Sequence, residues 1–237
     1  MDLSDAQLLG IDDSHVVAFA GGARLQAEVA DAFARLRSDA RAAGFDLAIA
    51  SAFRSFERQL AIFNGKARGE RSVHDDAGCV LDKNSCSDAQ WLAAILRFSA
   101  LPGTSRHHWG TDLDVYDQNA LRDGEQVQLT PQEVAPGGVF DELHRWLDER
   151  MAAGQSHGFF RPYNIDRGGV ACERWHLSYA TPSLAYARRL NPALLIDTYR
   201  ALPAPGLALL ECIAPMLEDI FTRYVAVGEA WAAASDN

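Results

Sequence analysis

SRHHWGTDLDVYD, residues 105–117, sets two adjacent histidines ahead of a run in which polar and apolar residues alternate. Within it, a period of two puts Leu113 and Val115 on one face and Asp112, Asp114 and Tyr116 on the other. That is the pattern of a strand whose back is anchored in a core. Asp114 then projects from a rigid element, while His107 sits on the loop that approaches it. Gly110 lets the backbone turn between the two. An imidazole and a carboxylate brought together in this way suggest a metal site. Two ligands are too few for catalytic zinc, which takes three protein ligands and a water.

The missing partner is best sought in CERWHLSY, residues 172–179. His176 follows Glu173 by three positions, an odd spacing that puts the two on opposite faces of a regular strand. The chain must therefore bend near Arg174 if both are to face one site. The other histidines are poorer choices: His15 lies near the terminus, His74 in a polar loop, His144 within a helical pattern and His157 just before GFF.

The surrounding chain mixes helices and short strands. Leu25, Val29, Ala32, Phe33 and Leu36 share one face of a helix expected over 23–43, with Gly44 to end it. FDLAIASAF (45–53) reads as a strand. SFERQLAIFNGKARG (55–69) resumes the helical period, with Ser55 as its cap. Residues 68–87 are polar and rich in Asp, Gly and Ser, a loop or lid. SDAQWLAAILRFSA (87–100) and FDELHRWLDERMAAG (140–154) are further helices. GFFRPYN and RWHLSYA read as short strands on either side of the glycine pair at 168–169. Beyond Pro182 the pattern is helical only: SLAYARRL, PALLIDTYRAL, and a long apolar stretch from Leu207. No βαβ alternation is present, so the expected class is α+β, a small antiparallel sheet flanked by helices. The chain divides into a body over 1–182 and a helical extension over 183–237 packed on that same body.

The 237 residues carry a formal net charge of −10. That disfavours duplex nucleic acid and anionic membranes as main partners, since both reward basic surface. No apolar run is long enough to span a bilayer. The N-terminus is acidic and lacks the basic and apolar regions of a secretory signal. The sequence as it stands is therefore expected in the cytoplasm, or in the periplasm or envelope if a leader has been removed. Cys79, Cys86, Cys172 and Cys212 form no CxxC pair. Cys79 and Cys86 flank a short polar loop and stand open to a disulfide in an oxidising compartment, with free thiols as the plainer reading.

These pieces resemble the LAS metallopeptidases, the zinc D-alanyl-D-alanine carboxypeptidases and dipeptidases that include the vancomycin-resistance enzymes. SRHHWGTDLD is similar to their Ser-x-His-x-x-Gly-x-x-x-Asp motif and ERWH to their Glu-x-Trp-His motif. SAFRS resembles an arginine-bearing strand end, and GFFRPYN the segment before the second motif. The resemblance covers roughly residues 45–180. It implies a LAS/hedgehog-like fold, one Zn²⁺ ligated by His107, Asp114 and His176, Glu173 as general base, and Arg54 facing the developing oxyanion. It also implies that Ser105 contacts the substrate or orients its loop, and that the substrate is a peptidoglycan peptide containing D-Ala-D-Ala. Where the family usually carries a small residue this chain has Asp112, which is placed to hydrogen-bond the second nitrogen of a ligand histidine. His108 is expected to point away from the metal, and Trp109 and Trp175 to pack beside the site.

Two neutral imidazoles and one carboxylate leave a bound zinc ion a strong Lewis acid, which suits hydrolysis. A peptidoglycan endopeptidase of the same fold is the nearest alternative. A non-catalytic zinc-binding module, as in the hedgehog signalling domain, is the alternative from a different class. Such a module needs neither Glu173 nor Arg54, and both are present. A serine or cysteine hydrolase is disfavoured, because Ser105 lacks a nucleophile elbow and Cys172 any activating context.

Overall fold

A four-stranded antiparallel sheet carries the site. The computed structural model describes residues 3–226. A short helix, α1 (Asp5–Leu8), is closed by a capping box from Ser4. A two-stranded ribbon follows, β1 (Val17–Ala18) with β2 (Arg24–Leu25). Helix α2 (Ala27–Ala42) leads into β3 (Leu47–Ser51) and α3 (Phe56–Arg68), whose N-cap is the Ser55 hydroxyl. Helix α4 (Asp88–Phe98) is capped by Ser87. A 3₁₀ turn (Arg106–Trp109) then feeds β4 (Asp112–Asp117). Helices α5 (Pro131–Val134) and α6 (Asp141–Ala152) precede β5 (Phe159–Phe160) and β6 (His176–Tyr179). The extension adds α7 (Ala180–Ala187), α8 (Pro192–Ala201), α9 (Leu210–Ile213) and α10 (Leu217–Ile220).

The sheet order is β3-β4-β6-β5. Leu113 pairs with Leu177, and these two with Leu47, Val115 and Phe159 form the apolar face. That face is covered by Val29, Phe33 and Leu36 of α2 and by Leu143 and Leu147 of α6. A second core joins α3 and α4 to the extension. Phe56, Phe63, Trp91 and Ile95 pack with Tyr186, Leu195, Tyr199, Ile213 and Leu217. The extension thus completes a core that α3 and α4 leave open on one side, and those two helices wall the cleft.

The expected helix over 23–43 begins four residues late. Arg24 and Leu25 pair in the ribbon instead, although Leu25 still buries fully in the core. The stretch from Leu207 is not one helix. It breaks into α9, a 3₁₀ turn over Ala214–Met216, α10 and a π turn over Phe221–Val225. Pro215 lies in that 3₁₀ turn, where it removes a backbone donor and crowds the preceding turn. The expectation for 227–237 lies outside the described residues. Cys79 and Cys86 are free thiols, so the disulfide is not formed. Among the described residues no helix is long and apolar enough to cross a membrane.

Candidate metal centre and active site

Strand register brings the key side chains together. Asp114 pairs with His176 and Asp112 with Ser178 across β4 and β6, so the polar face of β4 meets the polar face of β6. His107 arrives from the 3₁₀ turn, which ends at Gly110 with φ 68°. The side chain of Val16 fills the space where a β-carbon at Gly110 would fall, so glycine is required there for conformation and for room. His107, Asp114 and His176 each offer one ligand atom, and these atoms lie within 4.8 Å of one another. Asp114 Oδ2 is 3.3 Å from His107 Nε2, and Asp114 Oδ1 is 3.1 Å from His176 Nδ1. All three residues are buried.

The remaining imidazole nitrogens are held from behind. His107 Nδ1 lies 2.9 Å from the Ala52 carbonyl, to which it donates, leaving Nε2 facing Asp114. His176 Nε2 lies 3.0 Å from Asp112 Oδ1, leaving Nδ1 facing Asp114. The two rings meet edge-on with centroids 4.9 Å apart. Such backing fixes the tautomer and orientation of a ligand histidine. Burial alone pushes the His176 imidazole down, but bonds to Asp112 and Asp114 outweigh it and raise its pKa to about 9. Burial likewise pushes the Asp114 carboxyl up, and His107 with His176 more than reverses this, holding it far below the carboxylate range. Two imidazoles and one carboxylate, with second nitrogens engaged and the free ones converging, fit a divalent cation such as zinc.

Glu173 stands just outside β6. The chain turns there, with the His176 amide donating to the Glu173 carbonyl at 3.2 Å. This is the bend near Arg174 that the spacing demanded. It brings Glu173 Oε2 to 3.7 Å from His176 Nδ1. Burial pushes the Glu173 carboxyl up to about 7, against the pull of His176, Arg54 and Lys66. Arg54 lies between β3 and α3. Its Nη1 donates to Gln59 Oε1 at 2.9 Å and its Nη2 to Ser51 Oγ at 3.1 Å. Its backbone amide donates to the His107 carbonyl at 3.1 Å.

All of these open into one cleft of about 730 Å³, which Ser105, Trp175 and Tyr163 also line. Volumes of this order are those of pockets that hold drug-sized ligands. Residues 73–75, 77–78 and 128–132 also line it.

The other histidines fall elsewhere or stay structural. His108 is fully buried and turned away from the cluster. Its Nδ1 donates to the Arg54 carbonyl at 2.6 Å and its Nε2 accepts the Gly103 amide at 3.0 Å. His15 contacts the His108 carbonyl, His157 contacts Asp39, and His144 accepts from Arg161. His74 does reach the cleft. Trp109 packs in the helical core, its indole N–H donating to the Leu8 carbonyl.

Arg106, Tyr163 and Lys66 escaped the sequence reading. Arg106 Nε pairs with Asp112 Oδ1 at 2.7 Å. Tyr163 sets its ring 5.1 Å from that of His176. The only signal for Tyr163 was the segment GFFRPYN, and no spacing marked the other two.

Three convergent ligand atoms in a cleft, with a largely buried glutamate beside them, form the kind of arrangement a metal-dependent hydrolase uses. Residues 22–182 match the family model VanY, D-alanyl-D-alanine carboxypeptidase, and the chain belongs to that family. An uncharacterized protein of Haemophilus influenzae is 45% identical over 105 residues, covering 43% of this chain and 72% of that one. The fold is similar to that of the vancomycin-resistance D,D-pentapeptidase VanY from a VanB-type cassette, solved as a point mutant with Zn(II). That likeness has 27% identity and a TM-score of 0.50, over 74% of this chain and 83% of the other. It is also similar to VanYB in complex with D-alanine-D-alanine, at 25% identity and a TM-score of 0.51, over 79% and 90% of the two chains.

Proposed function

We propose that this protein is a zinc-dependent carboxypeptidase that removes the terminal D-alanine from D-Ala-D-Ala-ended peptidoglycan stem peptides or their precursors. The observation that carries the reading is the convergence of His107 Nε2, Asp114 and His176 Nδ1 beside Glu173, in a chain of this family. These three side chains would hold the ion. Bound there, zinc would supply Lewis acidity toward the scissile carbonyl and a water.

The chain's own groups do the rest. The Glu173 carboxylate takes a proton from the attacking water and returns it to the nitrogen of the leaving D-alanine. Arg54 faces the carbonyl oxygen, where charge grows during attack. Gln59 and Ser51 hold its guanidinium, so little reorganisation is needed at that moment. Asp112 keeps His176 oriented through Nε2. Ser105 is buried on the cleft wall, and its carbonyl accepts the His108 amide at 3.0 Å, closing the turn that carries His107. The family's description, D-alanyl-D-alanine carboxypeptidase, supports a carboxypeptidase rather than a dipeptidase.

The test is incubation of the zinc-loaded protein with D-Ala-D-Ala and with a pentapeptide ending in it, followed by mass analysis. The pentapeptide should lose one alanine, faster than the dipeptide is split. Cleavage of the dipeptide alone, or an internal cut, would overturn this reading.

A further inference from the structure

Among the described residues, Lys66 is a cation without a carboxylate to match it. It lies in the last turn of α3, and its side chain enters the cleft that holds the metal cluster. The ammonium is half-buried, and its Nζ donates to Ser99 Oγ at 2.6 Å. Among the described residues no carboxylate lies within 4.0 Å of it, whereas Arg97, Arg106 and Arg174 all have such partners. The charges it feels are mixed: Arg54 and Arg71 repel it, and Glu173 attracts it. Burial is the main cause that lowers the Lys66 pKa, with the two arginines adding to it.

Charges removed from water are normally paired. Lys66 is nevertheless held in place by rigid parts. Its carbonyl accepts the Trp91 indole N–H at 3.1 Å, which locks α3 to α4, and Ser99 directly follows α4. Ser99 accepts from the ammonium and keeps its own O–H to donate. A positive point charge and a hydroxyl donor side by side on a cleft wall suit a compact anion with two oxygens. Arg54 is held by Gln59 and Ser51, and its remaining N–H donors are already assigned above to the scissile carbonyl oxygen.

We propose that Lys66, with Ser99, receives the free C-terminal carboxylate of the peptide, and so restricts the enzyme to cutting at a chain end. This rests on the reaction proposed above. The scissile carbonyl would then lie at Arg54 and the metal, with the carboxylate one residue further along the same wall.

The experiment compares a D-Ala-D-Ala-ended pentapeptide as free acid and as C-terminal amide, with zinc-loaded wild type, Lys66→Met, Lys66→Arg and Ser99→Ala. Binding is titrated alongside turnover, and zinc content and melting temperature check that each variant is intact. Wild type should prefer the acid. Lys66→Met should lose about 10- to 10²-fold in kcat/KM on the acid, mainly through KM, and little on the amide. Lys66→Arg should keep part of the preference. Equal losses on acid and amide, or no change on either, would overturn the assignment and leave the proposed reaction standing. If wild type turns over neither peptide, the proposed reaction fails. The titrations then still decide Lys66, according to whether Lys66→Met abolishes a preference for binding the acid.

Discussion

Arg106 and Asp112 form an ion pair of 2.7 Å in which the side chains are only 4% and 0% exposed. Asp112 also accepts from the Thr111 hydroxyl at 2.5 Å and holds His176 Nε2, while Arg106 Nη2 donates to Ser178 Oγ at 2.6 Å and stacks over Trp109. Burial alone would raise the Asp112 carboxyl, but Arg106 and His176 together hold it well below the usual range. The aspartate at this position is thus built into a network with the arginine six residues before it, and the network ends on an imidazole of the candidate metal-ligand set.

Asp112→Ala should therefore fail in two separable ways. It strands a buried guanidinium, which costs about 3–5 kcal/mol when one partner of such a pair is lost. It also frees His176, which should weaken zinc binding about 10–100-fold. Replacing both residues, Arg106→Met with Asp112→Leu, should recover much of the stability and none of the metal affinity. Denaturant unfolding of metal-free protein and a zinc competition titration read the two effects. Recovery of zinc affinity in the double variant would show that Asp112 does not act through His176.

His107→Ala, Asp114→Ala and His176→Ala should each lose zinc, whereas His108→Ala should keep it. His108 should instead cost stability, because its ring bridges the Arg54 carbonyl and the Gly103 amide from a fully buried position. Metal analysis beside thermal melts separates these outcomes. A zinc-free His108→Ala with a loaded His107→Ala would reverse the assignment of the two.

Glu173→Gln should retain zinc and lose turnover. A positioned acid/base group contributes roughly 10²–10⁴-fold. Its neighbours support the role without adding a fourth ligand, since Glu173 is not among the residues whose ligand atoms converge. Near-normal hydrolysis by a zinc-loaded Glu173→Gln protein would direct attention to another base.

The strand from Asp112 to Asp117 was legible because a two-residue period with a buried back leaves no other register. Once Leu113 and Val115 turn inward, Asp112 and Asp114 must share the opposite face. The cap at Ser55 and the bend after Glu173 were legible for similar local reasons. Lys66 and Tyr163 were not. Each owes its place to packing between segments far apart in sequence, α3 on α4 for one and the turn beside β6 for the other. The start of α2 was misread because Leu25 is buried whether it lies in a helix or in the ribbon, so burial alone could not choose. The breaks near Pro215 divide a stretch whose apolar residues still reach one core, and apolar content without a sustained period looks alike in both cases.

His144 should make the protein less stable in mild acid. Its ring is fully buried on α6, and its Nδ1 accepts from Arg161 Nη2 at 3.2 Å. Burial first, then Arg161 and Arg174, push its pKa from 6.5 to about 3. In the unfolded chain it takes up a proton near 6.5. Between 6.5 and about 3 the unfolded state binds more protons, so stability is full above 6.5 and falls as the pH drops. The slope from one such group is at most about 1.4 kcal/mol per pH unit. His144→Asn keeps an acceptor near Nδ1 and cannot be protonated, so its unfolding free energy should fall less between pH 6.5 and 5. His108, pushed by burial to about 3, adds a loss of the same sign that this variant retains. Identical slopes in variant and wild type would remove His144 from the account.

Arg54→Ala should lower kcat by about 10²–10³-fold, the usual scale for removing one donor to a developing oxyanion. The residue is placed by its backbone before its side chain acts. Its amide donates to the His107 carbonyl and its carbonyl accepts from His108 Nδ1, so the loop bearing Arg54 and the turn bearing His107 are joined. Gln59 and Ser51 then hold the guanidinium. Burial pulls its pKa down, and Asp114 and Glu173 pull it back up. A guanidinium starts so far above neutrality that it stays charged throughout. A fixed charge that interacts more strongly as the oxygen becomes negative stabilises the transition state more than the bound peptide, so the loss should appear in kcat and leave KM nearly unchanged. Arg54→Lys should recover little, because a compact ammonium cannot copy the planar fork whose two ends reach Gln59 and Ser51 while the rest faces the substrate oxygen. Zinc content should stay at the wild-type level in both variants. A rise in KM alone would mean that Arg54 binds a group of the peptide equally before and during reaction. The free-acid and amide substrates that test Lys66 would then show whether that group is the terminal carboxylate.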